Sequence, residues 1–203
     1  MIKGVIDRYL EEDNNHLLTR DSKRFRVPRF LLNDIVRFWR TMAVDFASKQ
    51  RDRAGAGWGL RNAKLRMSRK LIFASGLLVC FDANLDPDLQ SEISTEKNDI
   101  KLKLLQHLRD HERLTPLQIL AGSVERYDIP APIARELFDS YGEFLEILND
   151  EKAREALENL RSEHSRTDPT FQRIRVSRTR STRIAALGSI SLALSIASAC
   201  VGS

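Results

Sequence analysis

Two helical stretches joined by a glycine-rich segment constrain the fold of this chain more than any other feature of its sequence. Apolar residues recur every three or four positions through the first stretch, at Leu31, Ile35, Phe38 or Trp39, Met42 and Phe46. The same spacing continues through the second stretch, at Leu60, Ala63, Met67, Leu71, Ala74, Leu78 and Phe81. This period predicts two amphipathic helices, the first starting after Pro28 and the second well buried. Because the glycines of residues 54–59 tolerate a sharp turn, we expect an antiparallel helical hairpin over residues 30–81.

The rest of the chain also has the period of helices. Further helices are predicted over residues 2–12, from Ile100, from Thr115-Pro116, from Ile133 to Leu148, and from Glu151 to His164. Asp168-Pro169 has the form of another helix start. The acidic segment 82–99 contains Pro87 and is predicted as a loop, with a short helix near Leu89 to Ile93 as the less favoured alternative. No segment alternates for long with the period of a strand, so the predicted fold class is all-α: a helical bundle built on the hairpin, with a hydrophobic C-terminal helix.

Composition divides the 203 residues into three predicted regions. Residues 1–29 form an N-terminal helix and a polar connector. Residues 30–164 form a helical domain, which consists of the basic hairpin (30–81) and an acidic helical half (82–164). Residues 165–203 form a basic and then apolar tail. A chain of this length holds one domain with a sizeable core, or one domain and a tail.

Positive charge is concentrated in the hairpin. Residues 23–70 contain fourteen Lys or Arg against three acids, a net charge of +11 in a chain whose total is +5. Residues 82–164 carry a net charge of −9. That acidic half would neutralise part of the basic charge if it folded against the hairpin, so not every arginine has to contact an external anion.

Two sets of polar residues fall on one face of each hairpin helix. Spacings of four and then three residues place together Asn33, Arg37 and Arg40 in the first helix, and Asn62, Arg66 and Arg69 in the second; Arg61, Lys64 and Lys70 flank the second set. Guanidinium groups match phosphate oxygens in pairs, and each neutralised phosphate releases counterions. These nine residues are therefore candidates for binding nucleotide or nucleic acid. An acidic protein surface and plain solvation are the alternatives.

No catalytic, metal or cofactor site is predicted. His107 and His111 are four residues apart, but no Glu stands in a His-Glu-x-x-His arrangement and no third ligand is evident. No Gly-x-Ser-x-Gly sequence supports a nucleophile. Cys80 and Cys200 are far apart, which favours a reducing compartment and a cytoplasmic location. The charged residues within the first ten positions are not typical of a signal peptide.

The C-terminal tail leaves a second interpretation open. Ile184 to Val201 are eighteen uncharged residues, about 27 Å long as a helix, and follow a run of arginines. If this segment anchors the chain in a membrane, the arginines before it would keep the preceding residues on the cytoplasmic side. The serines in the segment dilute its apolarity, so a packed terminal helix is the alternative.

Three segments resemble a known family of proteins. They are Phe30–Thr41 (FLLNDIVRFWRT), Trp58–Lys70 (WGLRNAKLRMSRK) and Val5–Leu10 (VIDRYL). They are similar to the helical region that follows the catalytic domain in bacterial nucleotidyltransferase-domain proteins of the DNA polymerase β-like superfamily. The resemblance covers roughly residues 1–150 and is most specific over 30–70. It implies no catalytic role for any residue of this region.

The catalytic motifs of that superfamily are not found in this sequence. The superfamily uses a Gly-Ser turn followed by an Asp-x-Asp pair that binds metal ions. Here Asp86-Pro87-Asp88 contains a proline that is awkward for a strand, and Gly122-Ser123 comes after it. The resemblance therefore implies a non-catalytic accessory region whose basic hairpin contacts nucleotide, nucleic acid or a catalytic partner. It would transfer nucleotides only if joined to a missing N-terminal catalytic domain. A tail-anchored membrane interaction protein is the alternative. A helical ribonuclease is disfavoured because no histidine has an arginine four to six residues upstream. The sequence does not indicate an oligomeric state.

Overall fold

The computed structural model describes residues 2–12, 17 and 18, 25–91 and 97–176, and these residues are helical apart from turns and short links. Within them the only extended pairing is an isolated antiparallel bridge between Leu18 and Phe25. The predicted all-α class is confirmed for this part of the chain. The apolar segment Ile184 to Val201 lies outside the described residues. No helix of the described part is both long and apolar enough to span a bilayer.

The helices follow one another with short connections. In chain order they are α1 (Ile2–Glu12), α2 (Arg29–Asp52), α3 (Trp58–Lys64), a π-helical turn (Leu65–Arg69), α4 (Lys70–Leu85), α5 (Pro87–Ser91), α6 (Lys97–Glu112), α7 (Pro116–Arg126), α8 (Ala131–Asn149), α9 (Glu151–Asn159), a 3₁₀ turn (Ser162–His164) and α10 (169–176). These residues belong to two compact units. Unit 1 comprises Met1–Trp39 and Leu71–Arg126, and unit 2 comprises Arg40–Lys70 and Tyr127–Ser203.

The core of unit 1 forms where α1 packs against α6. Its buried members are Leu10, Leu17, Phe25, Ala83, Ile100, Leu104, Leu105 and Leu108. The helix predicted from Ile100 is present as α6. α7 begins with the predicted cap: Thr115 Oγ1 accepts a hydrogen bond from the Gln118 N–H, and Gln118 Oε1 accepts one from the Thr115 N–H. This reciprocal pair satisfies two backbone donors that the first turn of a helix leaves open.

The predicted polar connector contributes two buried side chains to that core. Leu17 and Phe25 have 6% and 0% of their surface exposed. Both backbone groups of Phe25 are bound by side chains, because its N–H donates to Gln90 Oε1 at 3.0 Å and its carbonyl accepts from Asn84 Nδ2 at 2.7 Å. These contacts are not periodic, so helical spacing could not reveal them.

The prediction of a loop over residues 82–99 is wrong for residues 82–85, 87–91 and 97–99, which are helical. α4 continues to Leu85, and α5 starts at Pro87. Asp86 caps α5, since its Oδ1 accepts hydrogen bonds from the backbone N–H groups of Asp88 and Leu89 at 2.9 and 3.3 Å. Proline stabilises the first position of a helix and an aspartate before it satisfies the open donors, so Asp86-Pro87 begins a helix here.

In unit 2, α2 leads into α3 through residues 54–59, which we call the elbow. Gly55 and Gly57 have φ of +82° and +66°, values that glycine adopts at low cost. Gly59 is needed for a different reason: a β carbon there would lie 2.7 Å from the Leu157 carbonyl oxygen. The Gly59 N–H also donates to the Leu160 carbonyl at 3.1 Å. The elbow therefore brings α3 into backbone contact with the end of α9.

The second hairpin stretch is helical, but a π-helical turn over Leu65–Arg69 interrupts it. A π turn adds a residue and shifts the buried side of the helix. Ala63 and Met67 are buried as predicted. After the turn the buried positions are Ser75, Cys80, Asp82 and Ala83, whereas Leu71, Ala74, Leu78 and Phe81 are only partly buried.

The core of unit 2 joins α3, α8, α9 and α10. Its buried members are Ala63, Met67, Phe144, Ile147, Leu157, Leu160, Phe171 and Ile174. The charged helix predicted over Glu151 to His164 ends earlier, at Asn159, and a 3₁₀ turn follows. Leu157 and Leu160 are buried in the core and anchor this charged segment to it.

Candidate functional site

A pocket of about 260 Å³ opens beside α3 in unit 2. α3 and the π-helical turn form one wall, and the chain from Ser165 through α10 forms the other. The lining includes two aromatic rings, one amide and three guanidinium groups: Trp58, Phe171, Asn62, Arg66, Arg166 and Arg175. No Asp or Glu among the described residues lines this pocket. Its charged groups are therefore all cationic.

Hydrogen bonds at the start of α10 hold the second wall in position. Asp168 Oδ1 accepts from the Phe171 N–H at 2.7 Å, which confirms the cap predicted from Asp168-Pro169. Gln172 Nε2 donates to the carbonyls of Ser165 and Arg166 at 3.1 and 2.7 Å. Phe171 is consequently buried, and its ring centroid lies 5.1 Å from that of Trp58 at an interplanar angle of 41°. The pocket thus has an aromatic wall supported by the core.

Asn62 supplies an acceptor that no described residue uses. Its side chain is 4% exposed, and Oδ1 is fully buried without a hydrogen-bond partner. A buried amide oxygen without a partner carries an uncompensated desolvation cost. Because Asn62 also lines the pocket, a molecule that donates an N–H or O–H there would remove that cost.

Three arginines surround the pocket from separate parts of the chain. Arg66 comes from the π-helical turn, Arg166 from the turn before α10, and Arg175 from α10 itself. All three are exposed residues. Guanidinium forks bind phosphate or carboxylate through paired hydrogen bonds, and several around one cavity favour a multiply charged anion.

The structure brings together only some of the nine candidate residues. Asn62 and Arg66 meet at the pocket. Arg61 lies beside them in sequence but does not line the pocket, and its Nε and one terminal nitrogen are buried without a hydrogen-bond partner. Lys64 and Lys70 are exposed, as is Arg40 at the unit 2 end of α2.

Two of the candidate arginines have carboxylate neighbours within the hairpin. Arg69 lies 3.9 Å from Asp45 Oδ2 in unit 2, and Lys49 donates to that same oxygen at 2.8 Å. The Lys49 hydrogen bond lowers the pKa of Asp45. In unit 1, Asn33 and Arg37 are exposed, and Arg37 lies 3.4 Å from Asp34. Both ion pairs are solvent-exposed and therefore contribute little to stability.

Sequence reasoning missed one pocket residue within residues 30–81 and the pocket residues outside that segment. Trp58, Arg166, Phe171 and Arg175 were not among the candidates, although Asp168-Pro169 signalled the helix that carries two of them. About a hundred residues separate the two walls, and no local pattern connects segments so far apart.

A second polar cluster is buried in unit 1. Asp82, which is 1% exposed, accepts a 2.7 Å hydrogen bond from Arg126, and Arg126 also lies 3.3 Å from Asp86. His111 Nε2 is 3.6 Å from the same Asp82 oxygen, and the His111 ring packs on His107 with centroids 4.5 Å apart. Paired in this way, Asp82 is a compensated buried charge that links α4, α6 and α7.

The two histidines of this cluster have pKa values that are shifted in opposite directions. The Asp82 carboxylate raises the pKa of His111, while burial and the neighbouring His111 lower the pKa of His107. Cys80, on the same helix as Asp82, is buried, and burial raises its pKa to about 12. A thiol with that pKa is a poor nucleophile at neutral pH. Among the described residues, no group of three His, Cys, Asp or Glu side chains could hold a metal ion.

Comparison of the chain with protein families, with curated proteins and with solved structures finds no match in any of the three. The functional argument therefore depends on the pocket and on the charge around it.

Proposed function

We propose that this chain is a non-catalytic helical accessory region that binds the phosphates of a nucleotide or nucleic acid through its basic hairpin. The observation that carries the proposal is the shared position of Asn62 and Arg66, which line one pocket with Arg166 and Arg175. Two residues chosen for their helical spacing thus lie with two further cations from a distant segment. This arrangement supports a local anion site over plain solvation of a helix face.

Contacts within each unit support the antiparallel hairpin on which the proposal depends. In unit 1 the Trp39 and Phe73 rings stack at 5.1 Å, and a β carbon at Gly76 would lie 3.2 Å from Ile35. In unit 2, Asp45 lies near Arg69. As the first partner in unit 1 advances from 35 to 39, the second declines from 76 to 73, which is the order expected of antiparallel helices.

A role beside a nucleotidyltransferase domain belongs to the same proposal. It comes from the resemblance of Phe30–Thr41 and Trp58–Lys70 to the helical region of such proteins. A basic accessory surface holds a polyanion by releasing its counterions and needs no reacting group of its own.

Binding to a labelled single-stranded RNA tests the proposed function. We expect Lys64→Glu/Arg66→Glu to weaken binding about tenfold or more, because charge-assisted hydrogen bonds to phosphate are lost and like charges are brought together. The matched control is Lys152→Glu/Arg154→Glu on α9, which changes the net charge equally at exposed positions. Fluorescence anisotropy measures both.

Equal weakening by the two double variants would show that only net charge matters, and would contradict a local site. Failure of the unsubstituted chain to bind RNA and free nucleotides at low salt would contradict the proposal as a whole.

A further inference from the structure

We propose that the pocket beside Trp58 binds a single nucleoside monophosphate unit, either free or at the end of a strand. This inference rests on the proposed function and narrows it to one ligand class. The volume of about 260 Å³ is the first reason. Ligand pockets usually measure about 300–1,000 Å³, so this one suits one compact molecule better than a longer segment.

The aromatic wall favours a ligand with a flat ring. Trp58 is partly exposed, whereas Phe171 behind it is buried and fixes its position. Nucleobases stack on such side chains with little dependence on sequence, because each base has a π face. A bare phosphate makes no use of this wall.

The unpartnered oxygen of Asn62 favours a ligand that donates a hydrogen bond. Asn62 lines the pocket, and its buried Oδ1 accepts from no described residue. Phosphate oxygens are acceptors, so they do not satisfy it. A base amino or imino group, or a ribose hydroxyl, would do so.

The three arginines complete the set of contacts. Arg66 and Arg166 offer paired donors to phosphate oxygens, and Arg175 adds a third positive charge. No carboxylate of the described residues lines the pocket to oppose the anion. A nucleoside monophosphate has one group for each of these features: a ring, a donor and a phosphate.

The test uses the full chain with Trp39→Phe, because the protein has two tryptophans and this change leaves Trp58 as the only one. Its fluorescence is followed on titration with the four ribonucleoside monophosphates, phenyl phosphate, ribose 5-phosphate and inorganic phosphate. Phenyl phosphate has the ring without the donor, and ribose 5-phosphate has the donor without the ring. We expect the nucleotides to bind at least tenfold more tightly than either, and inorganic phosphate to bind most weakly.

Two substitutions separate the contacts. Asn62→Ala should reduce nucleotide affinity to that of phenyl phosphate and leave phenyl phosphate itself unchanged. Arg166→Ala lies at an exposed position and should weaken every phosphate ligand about tenfold. Arg53→Ala, an exposed arginine outside the pocket, is the control and should change nothing. Circular dichroism verifies folding, and the Arg166→Ala result stands even if Asn62→Ala unfolds.

Competition distinguishes the source of the nucleotide. An RNA with a terminal phosphate that displaces the free nucleotide, when the same strand with a hydroxyl end does not, identifies a strand end; no displacement by either strand identifies a free nucleotide. Equal affinity for nucleotide and inorganic phosphate would overturn the inference. So would a failure of nucleotides to alter Trp58 fluorescence while RNA binding stays sensitive to Lys64→Glu/Arg66→Glu, and in that case the proposed function would survive.

Discussion

Asp82 shows how a single buried charge is compensated in unit 1. It takes a short hydrogen bond from Arg126 and lies close to His111, so its negative charge has two cationic or polar neighbours. A buried charge that loses its partner destabilises a protein far more than an exposed one does. His107 and His111 thus lie in a defined electrostatic environment.

The position of His111 beside Asp82 gives a prediction about pH. The pKa of His111 is raised in the folded state, so its contribution to stability is complete below the unfolded value of about 6.5 and is lost as the pH rises through the folded value. We expect His111→Gln to destabilise the protein by about 1 kcal/mol near pH 5.5 and by less near pH 8.5. Urea unfolding at the two pH values measures the difference.

The control is His164→Gln, which removes a histidine at an exposed position in the 3₁₀ turn, outside the Asp82 cluster. The lowered pKa of His107 acts in the opposite sense, because its contribution is present above the unfolded pKa and is lost as the pH falls. The charge of His111 is one cause of that lowered pKa, so the double variant His107→Gln/His111→Gln is compared with His107→Gln at the same pH, which isolates the contribution of His111. Equal destabilisation at both pH values would mean that His111 contributes as a neutral ring.

Among the helices and turns, two features of residues 30–81 determine where the pocket forms. The elbow brings α3 against the end of α9, and the π-helical turn changes which side of the second helix is buried. Together they leave Asn62 buried and Arg66 exposed at one cavity, although the two residues are only four positions apart.

The elbow gives a prediction about packing. Gly59→Ala should destabilise the protein by about 1–3 kcal/mol, because the added β carbon would lie 2.7 Å from the Leu157 carbonyl oxygen. That oxygen belongs to the backbone, so it cannot rotate away as the end of a flexible side chain could. Gly142→Ala in α8 is the control: nothing lies within 4 Å of its β carbon. It should stabilise the protein by about 0.5–1 kcal/mol, since alanine favours a helix interior.

Thermal unfolding followed by circular dichroism measures both substitutions. If Gly59→Ala were as stable as the unsubstituted chain, the contact between α3 and α9 would not constrain the elbow.

At the scale of the whole molecule, the total charge conceals the segregation of its parts. The +11 of residues 23–70 is more than twice the +5 of the chain. Clustered charge of this kind binds polyanions by counterion release even when the total is small.

This gives a prediction about salt. If Lys64 and Arg66 each neutralise one phosphate of single-stranded RNA, they should contribute about −1.4 to the slope of the logarithm of the affinity against the logarithm of salt concentration. Lys64→Glu/Arg66→Glu should reduce that slope by about 1.4. Anisotropy titrations across a salt series measure it, and an unchanged slope would show that these two cations do not contact phosphate.

Much of the helical architecture could be predicted, because helix periods and caps are local. The starts at Thr115-Pro116 and Asp168-Pro169 are correct for this reason. Asp86-Pro87 carried the same signal, but the acidity of the segment favoured a loop. The candidate site was predicted only on its hairpin side, since Arg166 and Arg175 belong to a wall that reaches Asn62 through folding alone.

Periodicity, caps and charge, all encoded over a few residues, are enough to specify an all-α chain with a basic segment turned at its glycines. The cavity depends on contacts between distant segments. Which side of α3 faces the core, which oxygen is left without a donor, and which arginines surround it are set by packing between α3 and α10. Local sequence patterns do not predict such packing. The packing depends on side chains that come into contact only after the backbone between them has folded.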